Sequence, residues 1–319
     1  MKFQTQIFNA QADFTSSIAL GAELLKKGEL VSFPTETVYG LGARIFEEAA
    51  VLKIFAAKGR PNDNPLIAHI SAISDIEKIA VEIPDAFLKL AEAFFPGPLA
   101  VVVKKHPRVP AAVSAGLDTI AIRMPDHDVA LALISATGEP LVAPSANISG
   151  RPSPTIAQHV LEDMAGKIPA ILDGGACRVG IESTVISILG KTPIILRPGT
   201  ITNEEIEDVL KTKIEVVSSF TTNERVASPG MKYRHYAPKA KVLLFKNGAE
   251  AEMFLKENDL LKTRILSNSF KNARPLLAET LYAEFRDADK ASIEQIVIIL
   301  DDNTEQKLGL MNRILKAAE

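Results

Sequence analysis

From about Lys213 to Pro238 the chain loses the apolar periodicity that runs through most of its length. Ser218, Ser219, Thr221, Thr222 and Asn223 form a polar run, and Pro229-Gly230 and Pro238 interrupt the residues beyond it. Proline removes a backbone donor and glycine loosens the backbone, so no continuous helix or strand runs through such a stretch. The break predicts two folded units, at 1–212 and 240–319, joined by a linker at 213–239. A length of 319 residues fits two domains.

The first unit alternates amphipathic and β-branched segments. Asp13 and Thr15 open a helix whose Ile18, Ala22 and Leu25 share one face, ending near Gly28. Strands are expected at 30–33, 66–70, 99–103, 119–123, 141–143 and 170–172, and helices at 47–57, 85–95 and 129–135. Thr184–Leu189 and Pro193–Leu196, separated by Gly190, read as a hairpin. Crossover helices together with hairpins indicate an α/β sheet that is not purely parallel. In the second unit, strands at 241–245, 264–267 and 295–300 alternate with helices at 249–256, 276–285 and 307–318, the pattern of a small three-layer parallel α/β domain.

Composition narrows the function. Hydrophobic residues make up 47% and charged residues 24%, enough apolar material for a core, and the net charge of -3 argues against a surface that grips nucleic acid along its whole length. One cysteine, Cys177, leaves no intramolecular disulfide and no multi-cysteine metal site. The five histidines, at 69, 106, 127, 159 and 235, show no metal-ligand spacing. The first residues lack the apolar core of a signal peptide, and no apolar run reaches the ~20 residues that span a bilayer. The expectation is a soluble, cytoplasmic protein with no dedicated metal site and no membrane contact.

Polar loops carry the chemistry. Pro34–Gly42 follows a strand, where ligands of open α/β sheets bind, but equally suits a turn. Lys58-Gly59-Arg60-Pro61 ends a helix, where cations also complement the dipole. Ser145-Ala146-Asn147, with Gly150 and Ser153 following, suits an anion cradle or an ordinary turn. His69 alone reads as a core histidine, Cys177 as structural, and Glu182-Ser183-Thr184 and Arg197-Pro198-Gly199 as weak turn signals. No Gly-x-Ser-x-Gly elbow marks a serine hydrolase. Guanidinium forks beside hydroxyl and amide loops suit a phosphorylated ligand.

Lys58-x-Arg60 followed by Ser145-x-Asn147 resembles the signature of the YrdC/Sua5 family. Pro34–Gly42, Pro65-Leu66 with His69, Ala143–Asn147, Glu182–Val185 and Leu196–Gly199 resemble further blocks of that family in its order, and Ser228–Pro238 resembles the linker of its long, two-domain Sua5 form. The stretch Lys307–Arg313 is shorter than the usual segment.

The resemblance implies a YrdC-like twisted mixed sheet with flanking helices, plus a Rossmann-like C-terminal domain. It implies a nucleotidyltransferase that makes L-threonylcarbamoyl-AMP and pyrophosphate from L-threonine, bicarbonate and ATP. That product feeds N6-threonylcarbamoyladenosine at position 37 of tRNAs reading ANN codons, so the downstream tRNA threonylcarbamoyltransferase machinery, and weak tRNA contact, are implied partners. By motif, Arg60, Asn64, Thr119, Ser145, Ser153, Arg197 and Tyr236 are implied to contact ATP, with Mg2+ on its phosphates. Thr37, His69, Arg123, Ala143 and Ser183 are implied to hold threonine, and Lys58 with Arg60 to be catalytic. The linker is expected to close over the pocket as a lid. Two alternatives stay open: an RNA-binding module of the same fold, disfavoured by the charge and the lack of Trp, and a carbamoyltransferase, whose zinc-finger cysteines are missing here.

Overall fold

The computed structural model describes residues 3–217, 236–258 and 260–319. Most of the expected linker, including Met231, Tyr233 and His235, lies outside the described residues, as does the expectation that it forms a lid.

The first unit is built on an eleven-stranded mixed sheet in the order Gln6–Asn9, Ala170–Asp173, Val31–Phe33, Gly40–Arg44, Leu141–Val142, Ile67–His69, Thr119–Arg123, Leu99–Lys104, Thr184–Ser187, Ile194–Arg197 and Glu215–Val216. The expected 184–196 hairpin forms, Ile194 pairing antiparallel with Ser187. The first helix spans Phe14–Lys26. Asp13 caps it, accepting from the Ser16 amide at 3.1 Å, while Ile18, Ala22 and Leu25 turn inward. One core cluster gathers Leu41, Ile54, Phe87, Val101 and Ile122; another gathers Leu25, Phe33, Leu133 and Leu172, so helices cover the sheet on two faces.

Two differences from the sequence reading bear on the site. Pro34–Gly42 is not all loop: from Gly40 the chain is a strand antiparallel to Val31–Phe33. The glycines that weaken the strand signal are there for close approach, since a Cβ at Gly42 would lie 2.7 Å from the Phe33 ring and one at Gly40 would lie 3.2 Å from Ala143 Cβ. Secondly, Glu215–Val216 pairs parallel with Ile194–Ile195, so the large sheet runs past residue 212 into the stretch read as linker.

The second unit has three parallel strands in the order Lys241–Phe245, Gln295–Ile299, Thr263–Leu266, with helices Gly248–Lys256, Ala278–Lys290 and Leu308–Ala318. Along its central strand, Ile296 and Ile298 face Tyr282, Phe285 and Ile314, while Val297 and Ile299 face Ala251 and Leu255. That period of two makes three layers. The apolar cluster around Tyr282 also takes in Val38 and Ile181 of the first unit.

The two units touch backbone to backbone at glycines. A Cβ on Gly309 would lie 2.3 Å from the Gly199 carbonyl oxygen, and one on Gly180 would lie 2.4 Å from the Ala278 oxygen. Arg286, fully buried, crosses the interface to Asp163 (2.8 Å) and the Pro152 carbonyl (2.6 Å). Among the described residues no helix is long and apolar enough to cross a membrane.

Candidate active site

Loops at the ends of the central strands line one polar cleft. The turn after Val31–Phe33 forms one wall. Thr35 Oγ1 donates to the Val38 carbonyl (2.7 Å) and accepts from the amides of Thr37 and Val38 (both 3.2 Å). Its single proton being used, the 2.9 Å contact with Thr37 Oγ1 makes Thr37 the donor there. Thr37 Oγ1 in turn accepts from Arg123 Nη1 at 2.9 Å.

Arg123 stands directly beside His69 across the parallel pair of strands. Its Nε donates to the Gly97 carbonyl (3.2 Å), and Nη2 lies 2.6 Å from Glu36 Oε2 behind the wall. That close contact is Coulombic rather than a hydrogen bond, because the carboxylate lies off the N–H direction, and neither Glu36 oxygen has a hydrogen-bond partner. His69 is buried. Loss of water and the nearby Arg123 charge push its pKa down to about 3, so the ring is neutral. Its Nδ1 lies 3.1 Å from the Ile67 carbonyl and must carry the proton, leaving Nε2 as an acceptor.

The opposite wall is cationic. Helix Glu48–Lys58 stops at Gly59, left-handed at φ 60°, which turns Arg60 toward the cleft. Arg60 Nη2 donates to the carbonyls of Asn64 (3.1 Å) and Pro65 (3.2 Å), and burial with the Arg197 charge lowers its pKa to about 10. Arg197 donates through Nε to the Ser183 carbonyl (3.1 Å) and through Nη2 to Ser183 Oγ (3.2 Å). Lys58 is almost wholly buried. Its ammonium donates to the carbonyl oxygens of Ser145 and Asn147, the second at 2.7 Å. Burial first, then the Arg60 charge, depresses its pKa well below the ordinary lysine range. Ser145 Oγ donates to Asn147 Oδ1 at 2.6 Å. The Lys-x-Arg and Ser-x-Asn motifs are thus one knot, with Lys58 as its staple.

The structure brings together Thr37, Lys58, Arg60, His69, Arg123, Ala143, Ser145, Ser183, Arg197 and Tyr236 on this one cleft. Asn64, Thr119 and Ser153 do not line it. Asn64 is buried, its side-chain amide without a hydrogen-bond partner, and Ser153 Oγ points to Glu182 Oε1 at 2.5 Å. Sequence reasoning passed over two carboxylates. Glu36, in the Pro-Thr-Glu-Thr turn, backs Arg123, and Glu182, read as turn chemistry within a family block and given no role of its own, lines the cleft. Burial would raise Glu182, but the Arg313 and Arg197 charges and the Ser153 bond outweigh it and hold its pKa below the usual range. Burial pushes the Cys177 thiol up to about 12, an unreactive environment.

Comparison with known proteins agrees with this architecture. Residues 23–199 match the Sua5/YciO/YrdC family model, described as telomere recombination, and 201–319 match the Sua5 C-terminal model, described as the threonylcarbamoyl-AMP synthase C-terminal domain. The threonylcarbamoyl-AMP synthase of Pyrococcus abyssi is 42% identical over 94% of each chain, and that of Bacillus subtilis 42% identical over 94% of this chain and 92% of its own. A doubly substituted P. abyssi Sua5 structure superposes with a TM-score of 0.90 over 98% of this chain and 96% of its own, at 39% identity. The P. abyssi Sua5 structure with L-threonine gives 0.87 over 94% of each, at 41% identity. On both its sequence and its two-domain architecture, the chain belongs to the Sua5/YciO/YrdC family, in the long form that carries a Sua5 C-terminal domain.

Proposed function

We propose that the chain is an L-threonylcarbamoyladenylate synthase acting in the cytoplasm, with catalysis in residues 1–212 and the 240–319 unit docked on it. The observation that carries this reading is one cleft with two chemically distinct walls, an Arg123–Thr37–His69 cluster facing the cations Arg60 and Arg197. The identity with curated synthases along nearly the whole chain supports it.

In this reading the Arg123 fork takes the threonine carboxylate, helped by Thr37, with the Ala143 backbone and Ser183 as further threonine contacts. Neutral His69 offers Nε2 to a donor on the amino acid. The threonine amine attacks the bicarbonate carbon, water leaves, and a carbamate results. A carbamate oxygen then attacks the α-phosphorus, the bond to the bridging oxygen breaks, and pyrophosphate departs. Arg60 and Arg197 neutralise the phosphates while Ser145 and Tyr236 hold the nucleotide; Asn64, Thr119 and Ser153 remain assigned to the nucleotide side. Orientation and charge neutralisation suffice for these steps, so no covalent nucleophile is required. Lys58 acts by fixing the 145–147 loop against which the phosphates lie. Mg2+ would enter with ATP and would supply further phosphate neutralisation. Among the described residues, Glu182 is the carboxylate lining the cleft, and it is engaged by Arg313, so the phosphates of ATP would be what holds the ion.

The test is pyrophosphate release with ATP, L-threonine and bicarbonate, omitting each in turn. Release requires all three; release that ignores threonine or bicarbonate removes the assignment. The product is proposed to pass to a tRNA threonylcarbamoyltransferase.

A further inference from the structure

The cleft contains a feature that works against polyphosphate binding: the carboxylate of Glu182, beside the Arg197 cation. An unpaired anion there would repel phosphate and draw the Arg197 guanidinium to itself. The second unit supplies its counter-charge. Arg313, on helix Leu308–Ala318 and fully buried, donates from Nε to Glu182 Oε2 (2.8 Å) and from Nη2 to the Glu182 carbonyl (3.0 Å). Its Nη1 donates to the Pro198 carbonyl (2.6 Å), immediately after Arg197. Tyr282, on helix Ala278–Lys290, donates its hydroxyl to the same Glu182 Oε2 at 2.9 Å. The Tyr282 ring also stacks on Tyr236 with centroids 5.6 Å apart and planes 28° apart, and the Arg313 guanidinium lies 5.4 Å from the Tyr236 ring centre.

We infer that Arg313 and Tyr282 of the C-terminal unit are positioning residues for the nucleotide side of the cleft, neutralising and orienting Glu182 so that Arg197 and Tyr236 face the phosphates and the nucleoside. The inference rests on the synthase reading. Its physical content is a competition for one guanidinium. With Arg313 in place, Glu182 is satisfied from behind, by two donors of the second unit on Oε2 and by Ser153 on Oε1. Without it, Glu182 turns to Arg197, the other cation that acts on its charge. The threonine wall is held independently by Glu36, Gly97 and Thr37, none of which contacts Arg313. The C-terminal unit therefore acts first on the nucleotide side, and reaches threonine only at second hand, through the Arg197–Ser183 bonds.

Calorimetric titration of the full-length chain with a non-hydrolysable ATP analogue and Mg2+, and separately with L-threonine, tests this, with thermal unfolding followed alongside. If the wild-type chain binds neither ligand, the synthase reading falls and the inference with it. If it binds both, Arg313→Gln should weaken the analogue at least tenfold and threonine less than twofold. Tyr282→Phe, which removes one hydroxyl and keeps the ring, should weaken the analogue about threefold with threonine unchanged, and it decides the matter if Arg313→Gln does not fold. Arg286→Gln loosens the same interface without touching Glu182, so it should lower the unfolding temperature yet cost the analogue less than Arg313→Gln. Analogue affinity within twofold of wild type in a folded Arg313→Gln chain, or an equal loss of analogue binding in the Arg313 and Arg286 variants, overturns the inference.

Discussion

Replacing Arg123 with methionine removes the cation and keeps most of the apolar stem. What remains is the Glu36 carboxylate, whose side chain is 0% exposed and whose ion-pair partner among the described residues was Arg123 Nη2 at 2.6 Å. Neither Glu36 oxygen has a hydrogen bond to fall back on. Breaking a buried pair by deleting one partner costs about 3–5 kcal/mol, most of it the stranded charge. Arg123→Met should therefore destabilise the first unit by roughly that amount, besides abolishing threonine binding. Glu36→Gln is milder, about 1–3 kcal/mol, because the guanidinium keeps its bonds to Thr37 and the Gly97 carbonyl. The double variant removes both charges and should recover at least about 2 kcal/mol relative to the sum of the singles, the coupling of a true buried pair. Urea unfolding of the four chains, monitored by far-ultraviolet circular dichroism, measures this directly. A single-variant cost below about 1 kcal/mol for Arg123→Met, or additivity within about 0.5 kcal/mol, refutes the reasoning.

Three further outcomes are expected. Arg197→Ala should weaken ATP binding by about 1.5–3 kcal/mol, and because Arg197 also holds Ser183 it should carry a smaller loss in threonine binding; calorimetry that finds threonine weakened more than ATP contradicts the two-wall partition. With a folded-state pKa of about 3, His69 stays neutral while the unfolded chain takes up its proton below about 6.5, so stability falls as pH drops through that window, by up to about 1.4 kcal/mol per pH unit. His69→Gln should flatten that slope, and urea titrations between pH 7 and 4 that show an unchanged slope would exclude a buried neutral imidazole. Gly309→Ala lies in a helix, where alanine is normally favoured by about 0.8–1 kcal/mol, yet should destabilise by about 1–3 kcal/mol because its methyl meets the Gly199 backbone. Thermal unfolding gives the sign.

Legibility in the sequence followed the range of the interactions. The first helix announced itself through Asp13 and the Ile18–Ala22–Leu25 face, and the 184–197 hairpin through two β-branched runs about one glycine, because caps and periodicity are local. Gly40–Arg44 was hidden, since the glycines that depress strand propensity are needed for contact with Phe33 and Ala143, which the sequence does not place nearby. Residues of the cleft were readable as ordered motifs, but not the contacts that hold them in place. Lys58, implied to be catalytic, donates to the 145 and 147 carbonyls, contacts that span 87 and 89 residues. Glu182 looked like turn chemistry because its partners, Tyr282 and Arg313, stand 100 and 131 residues away. No local pattern reports such a contact.

The meeting of Gly199 with Gly309 also constrains how this chain can be rebuilt or can drift. Where two domains meet through side chains, a mismatch is absorbed by rotamer changes and the interface degrades gradually. Here main chain lies on main chain, and neither partner has a torsion to spare. Grafting the C-terminal domain of a relative onto this N-terminal domain should therefore succeed or fail as a step, according to whether the position that faces the Gly199 backbone, here Gly309, remains without a side chain. The two halves are held to co-inheritance by the lack of any atom there that could yield.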